Sequence, residues 1–137
     1  YGWKSEELLS RIYHHPQLNR QLFLIRDASD RDLAGLYGKS TALVIASLAE
    51  GFGLPIVEAR EYRTRIICSD IPVFREVAGH DARYFDVQDP GSLADHVLDC
   101  LKQDTHGDRI SSPVGHTWIN WRESTEQLLE KLSSFEK

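Results

Sequence analysis

What most restricts the folds open to this chain is an alternation of short apolar runs with segments of helical period. TALVIAS (41–47) is apolar, partly β-branched and bounded by polar residues, the pattern of a strand buried on both faces. RIICS (65–69) is a second strand, RYFDV (83–87) a weaker third, and LFLIR (22–26) an earlier buried one. Helical patterns fill the intervals. Ser29 and Asp32 have capping-box spacing at the head of SDRDLAGLYGKS, where Leu33, Leu36 and Tyr37 make an apolar stripe. Pro55 suits the first turn of a helix running to about Tyr62. Pro72 opens PVFREVAG, which Gly79 ends, and DPGSLADHVLDCLKQ carries Leu93, Val97, Leu98 and Leu101 at helical spacing. Near the start, Ser5 caps EELLSRIY, whose Leu8, Leu9 and Ile12 share a face, and Pro16 closes the region. Parallel neighbours need crossover connections, so this alternation predicts an α/β fold, a parallel sheet with helices on both faces.

The 137 residues are enough for one core, and residues 1–103 form the expected domain. DTHGDRISSPVGH, polar and rich in turn formers, makes 104–116 a connector. Residues 117–137 read as a C-terminal helix in which Trp118, Trp121, Thr125, Leu128 and Leu132 recur every three or four positions and pack on the domain. Lys plus Arg number 16 against 21 Asp plus Glu, a formal charge of -5, which argues against a broad grip on nucleic acid or an anionic membrane. No apolar run approaches the roughly 18 residues that cross a bilayer, and no signal-peptide pattern opens the chain. A cytoplasmic chain with no transmembrane segment is expected. Cys68 and Cys100 read as reduced, buried thiols rather than a disulfide or a metal pair. The chain starts at Tyr1 and contains no Met, so a fragment of a longer protein is expected.

Residues 50–58, EGFGLPIVE, carry the chemistry. In an open parallel sheet ligands sit beyond the carboxyl ends of the strands, and this loop leaves TALVIAS there and enters a helix. Gly51 and Gly53 let the backbone turn sharply and approach a ligand. Unpaired N–H groups and the positive dipole end of the helix suit a phosphate. Pro55 has no N–H, which leaves Gly53, Leu54 and Ile56 as the better donors. Glu58, about one turn into the helix, can accept two hydrogen bonds from a vicinal diol such as a ribose, while Glu50 points into the cleft. A phosphate between them would belong to a nucleoside diphosphate. The plainer alternative is that Glu58 favours the helix start and Glu50 is solvated.

Filled as EGFGLPIVEA, preceded by a strand ending ASLA and followed by ICSDIPVFREVAG, ARYFD and DPGSLADHVLDCL, the pattern resembles the C-terminal nucleotide-sugar domain of retaining glycosyltransferases of family four. These are the glycosyl transferases group 1, with the two-Rossmann-domain glycosyltransferase-B architecture. The likeness runs in order from about Leu22 to Leu101, and NWRESTEQLL resembles the helix closing the family's second domain. It implies a Rossmann-like sheet, part of the C-terminal domain of that fold. It implies that Glu58 holds the ribose hydroxyls and that Glu50, the catalytic candidate, lies by the donor sugar. Gly51, Phe52, Gly53, Leu54, Pro55 and Ile56 would then line the sugar and diphosphate.

The implied reaction moves a hexose from a GDP- or UDP-sugar to a glycan or lipid-linked acceptor with retained configuration and no obligatory metal or cofactor. Mannose from GDP-mannose and a bacterial surface polysaccharide are the expected case, with the parent protein peripheral at the inner membrane. Three departures qualify the resemblance. The family's diphosphate-binding Arg and Lys, and its acceptor-binding N-terminal domain, precede the region present here, so the chain alone is expected to be inactive. Glu61, Tyr62 and Arg63 stand where the family usually reads Ala-Tyr-Gly, which in a left-handed turn costs on the order of 1 kcal/mol. Ala46 stands where a proline is common. The alternative of another class is a non-catalytic nucleotide-sugar-binding or interaction module of the same fold, and a sheet edge left open would promote pairing with a second copy.

Other chemistry is weaker. Asp30-Arg31-Asp32 has the Asp-x-Asp form of metal-dependent transferases, but carboxylates at a helix start are stabilised by its dipole without any metal. The six histidines show no zinc-like spacing. A glycosidase pair at Glu50 and Glu58 is disfavoured by the glycines and helix start between them. Arg75 is weighed evenly between framing the donor sugar and a surface ion pair.

Overall fold

Strand β2, Arg65–Ser69, is the element around which the others are arranged. It pairs in parallel with β1, Ala42–Ile45, on one side (Ala42 opposite Arg65, Ile45 opposite Cys68) and with β3, Ala82–Phe85, on the other (Ile66 opposite Ala82, Ser69 opposite Phe85). The computed structural model describes residues 5–104 and 121–134. Its helices are α1 (Glu6–Tyr13), α2 (Asp30–Lys39), α3 (Leu54–Glu61), α4 (Pro72–Ala78), α5 (Pro90–Asp104) and α6 (Trp121–Ser134).

Alternation along β2 divides the core between the two faces of the sheet. Ile66 and Cys68 join Ile56 and Ala59 of α3 and Phe74, Val77 and Ala78 of α4 on one face, with Leu43 and Ile45 of β1 against them. Ile67 faces the other way, onto Phe85 and onto Cys100, Leu93 and Val97 of α5. The expected α/β sheet with helices on both faces is therefore present. Arg60 strengthens the first layer. Its side chain is 7% exposed, pairs with Asp81 and donates to the Val77 carbonyl at 3.1 Å, tying α3 to α4 and to the turn before β3.

The expected boundaries hold for α2 to α5, each for a local reason. Ser29 and Asp32 form the reciprocal capping box, Pro55 and Pro72 lie in first turns, and Gly79 ends α4. At α5 the Asp89 carboxylate accepts from the Gly91 and Ser92 amides at 2.9 and 3.3 Å. Ser5 stands at the N-cap of α1 without making a side-chain cap hydrogen bond.

Several expectations are corrected. LFLIR forms no strand: Leu22 makes one isolated bridge to Leu18, and Phe23 and Ile25 are exposed. The amides of Arg20, Gln21 and Leu22 all converge on the Gln17 carbonyl in a tight turn, with Asn19 at φ 61. Apolar content favours burial, but a strand also needs backbone groups free to pair with a neighbour's edge, and here the chain enters LFLIR from a turn that already takes the Leu22 amide, while the outer edge of β1 is paired with no described strand. TALVIAS shortens to Ala42–Ile45 and is not buried on both faces, because β1 is an edge strand with Val44 exposed.

On α2 the half-buried positions are Ala34, Tyr37 and Gly38, and Leu33 and Leu36 are exposed. The smaller residues let that helix come close, and a Cβ on Gly38 would sit 3.7 Å from the Tyr62 ring. On α5 the inward line is Leu93, Val97 and Cys100, with Leu98 and Leu101 outside. Leu128, Leu129 and Leu132 of α6 are all more than half exposed. Trp118 and residues 105–116 of the expected connector lie outside the described residues.

Candidate functional site

Glu50 and Glu58 stand on either side of the turn that carries the chain from β1 into α3, at the carboxyl end of the sheet. The base of that turn is fastened to the central strand. The Ser69 hydroxyl at the end of β2 donates to the Ser47 carbonyl at 2.5 Å and lies 3.4 Å from that of Ile45. The Ser47 hydroxyl donates to Glu50 Oε1 at 2.7 Å. Glu50 is thus an exposed carboxylate on a held backbone. Neither serine stood out in the sequence, because each is matched to a partner in the fold rather than to a local spacing.

Gly53 makes the turn possible. It is the N-cap of α3 at φ 91, and a Cβ there would meet Phe74 Cε1 at 2.9 Å. Gly51 faces open space, with nothing within 4 Å of an added Cβ. The Ile56 amide donates to the Gly53 carbonyl at 2.9 Å and its side chain is fully buried, so Ile56 is engaged in the turn and the core instead of offering a free donor. Pro55 has no N–H. The amides of Gly53 and Leu54 have no hydrogen-bond partner among the described residues, and they stand at the helix end where the dipole favours an anion. Phe52 and Leu54 expose about half of their surface beside them.

Glu58 is exposed on α3, and a residue the sequence placed in an apolar stripe is bonded to it. Tyr37 of α2 donates its hydroxyl to Glu58 Oε2 at 2.8 Å. The Tyr37 ring stacks on Tyr62, with centroids 5.9 Å apart and planes 16° from parallel, and the Thr64 hydroxyl donates to its carbonyl at 2.6 Å. Burial, then the hydrogen bond and charge of Glu58, push the Tyr37 phenol up to about 12. No local signal marks this pair in the sequence, since the two residues come from successive helices.

Arg75 is an ion pair with a second contact. Its guanidinium bonds both Asp70 oxygens at 2.7 Å and lies 3.9 Å over the Tyr84 ring. That hydrogen bond holds Asp70 below the usual carboxylate range. The Tyr84 hydroxyl donates to the Gly79 carbonyl at 2.6 Å. Asp32 of the Asp-x-Asp stretch is likewise lowered by its Ser29 hydrogen bonds, and among the described residues no three His, Cys, Asp or Glu cluster as a metal site. Cys68 and Cys100 are buried free thiols.

Toward the amino end of the strands a shallow depression lined by Lys39, Arg63 and Arg65 borders the Tyr37 cluster, since Tyr37, Tyr62 and Thr64 also line it. Lys39 and Arg63 there stand at the C-terminal ends of α2 and α3, where cations offset the helix carbonyls.

Residues 1–112 match the family described as glycosyl transferases group 1. The chain is 40% identical to the serotype-specific mannosyltransferase WbdA of Escherichia coli over 134 residues, which is 96% of this chain and 16% of that protein. It is 41% identical over 76 residues to the O-antigen chain mannosyltransferase RfbU of Salmonella typhimurium (56% of this chain, 22% of that protein). It is 36% identical over 104 residues to the O-antigen chain mannosyltransferase B of Escherichia coli (76% and 27%). The chain therefore spans between about a sixth and a quarter of the length of these relatives. No solved structure matches it. No helix among the described residues is long and apolar enough to cross a membrane.

Proposed function

Because this chain belongs to the glycosyl transferases group 1 family, we propose that it forms the donor-binding part of a retaining hexosyltransferase that builds a bacterial surface polysaccharide. The observation that carries this reading is the pairing of unpartnered Gly53 and Leu54 amides at the start of α3 with the exposed Glu58 carboxylate one turn further on. A diphosphate and a ribose present those two needs at that spacing. Mannose is the proposed sugar and GDP the proposed nucleotide carrier. The sugar is supported by the relatives, which are O-antigen and serotype-specific mannosyltransferases.

In this reading Glu58 accepts hydrogen bonds from the ribose hydroxyls, and the Gly53 and Leu54 amides face the diphosphate. Charge grows on the leaving diphosphate as the C1–O bond to phosphate breaks, and fixed amides and the α3 dipole stabilise it without reorganising. Glu50, held by Ser47, stands beside the sugar. The new bond forms between C1 and the acceptor oxygen on the same face, and the acceptor's proton passes to the leaving phosphate oxygen. The acceptor, a glycan or lipid-linked sugar, is bound by segments outside this chain. With those segments and their cationic residues supplied elsewhere, the chain alone binds the donor without turning it over.

Calorimetric titration with GDP and UDP tests the assignment. The wild-type chain should bind GDP, and Glu58→Ala should weaken that binding at least tenfold, as expected when hydrogen bonds to a charged group are lost. Equal binding by the variant, or no binding of either nucleotide by the wild type, overturns it.

A further inference from the structure

The Tyr37–Glu58 contact belongs to a bracket of four residues that joins α2 to the stretch running from α3 into β2. Tyr37 comes from α2 and Glu58 from α3, Tyr62 caps the end of α3, and Thr64 leads into β2. Each of the others constrains Tyr37. Its ring is stacked on Tyr62, its carbonyl is fixed by the buried Thr64 hydroxyl, and its hydroxyl is therefore presented to Glu58 Oε2 from a settled position. An exposed glutamate on a helix has three rotatable bonds and would otherwise sample several rotamers. Here one oxygen is taken at 2.8 Å, while Oε1 has no partner among the described residues and the side chain stays open to solvent.

We propose that Tyr37 is a positioning residue for nucleotide recognition: its hydroxyl holds Glu58 in the one orientation in which the carboxylate can read a ribose diol. The inference rests on the reading of Glu58 as the ribose anchor and adds to it where the selectivity comes from. Ionised, a carboxylate only accepts hydrogen bonds and has about four lone-pair positions. Committing one of them to Tyr37 leaves the others aimed outward without the entropy cost of ordering them when ligand arrives. The selectivity that follows is for ribose over deoxyribose, since a site arranged to bond a hydroxyl discriminates against the ligand that lacks it.

The test compares GDP and UDP with their 2′-deoxy counterparts, by titration of wild type, Tyr37→Phe, Tyr62→Phe and Glu58→Gln. Tyr37→Phe keeps the ring, its stack on Tyr62 and the backbone contact with Thr64, so the fold is retained. Wild type should prefer the ribonucleotide. Tyr37→Phe should bind the ribonucleotide about tenfold more weakly and the 2′-deoxynucleotide, which keeps only the 3′-hydroxyl contact, less so, so the preference shrinks, a change that a loss of general stability would not produce. Tyr62→Phe, which keeps the stack and touches no Glu58 oxygen, should keep the preference. A wild-type preference retained by Tyr37→Phe but lost in Glu58→Gln overturns the positioning role and leaves the ribose anchor standing. Retention of the preference by Glu58→Gln, or no binding to the wild type, overturns both.

Discussion

Two residues with left-handed backbone flank α3, and one of them is the wrong type for it. Gly53 at φ 91 is obligatory, because any Cβ there would drive into the buried Phe74 ring. Arg63 at φ 56 occupies the position after the C-cap where glycine is usual. The Arg63 amide bonds the Arg60 carbonyl and the Thr64 amide bonds that of Ala59, at 3.0 and 2.9 Å, the reciprocal pair of a Schellman turn. The departure at Glu61, Tyr62 and Arg63 is visible in the sequence, but only the backbone angle decides that the turn is kept and the strain accepted. Arg63→Gly should therefore raise stability by about 1 kcal/mol, while Gly53→Ala should lower it by about 2 kcal/mol or more through backbone strain and overpacking. Urea unfolding at one pH should show midpoints moving in opposite directions. A lower midpoint for Arg63→Gly would mean that the arginine side chain makes up for its backbone.

Helices α2 and α3 are joined through a phenol, which gives their contact an alkaline limit. The Tyr37 pKa is raised from 10.0 to about 12, chiefly by burial and then by Glu58. A raised folded-state pKa favours the protonated form. Its contribution is complete below the unfolded value near 10 and is lost as pH rises toward 12. The thermal midpoint of wild type should fall through that window, and Tyr37→Phe should fall less steeply, with Tyr84 and Cys68, both also raised by burial, contributing to the remainder. Elements with local determinants were legible from the residues alone. The capping box at Ser29, the prolines of α3 and α4 and the glycine after α4 sit where the chain turns. What a pattern along one segment cannot carry is the identity of its neighbour. LFLIR has the composition of a strand and no described strand beside it, and α2 turns Ala34, Tyr37 and Gly38 inward, Gly38 toward Tyr62, and leaves Leu33 and Leu36 exposed. The EGFGLPIVE loop was legible as a turn into a helix, whereas Tyr37, Ser47 and Ser69 gain their roles from the packing.

The molecule has one thiol on each side of its sheet. Cys68 belongs to the α3–α4 layer and Cys100 to the α5 layer, and burial pushes the Cys68 thiol up to about 11. Both should resist a thiol reagent at neutral pH and react together once denaturant unfolds the chain. Early labelling of Cys100 alone would show that the α5 layer opens as a separate unit. The strand order β1-β2-β3 is also the order along the chain. Ala42 meets Arg65, and Ile66 meets Ala82, each across a single intervening helix. Every parallel pairing is thus closed by a short segment, an arrangement of low contact order for a parallel sheet. The β2–α4–β3 pairing, Ile66 to Ala82, spans the shorter stretch, and the loop between Glu50 and Glu58 belongs to the longer closure, Ala42 to Arg65, so its shape is bound to the costlier of the two crossovers.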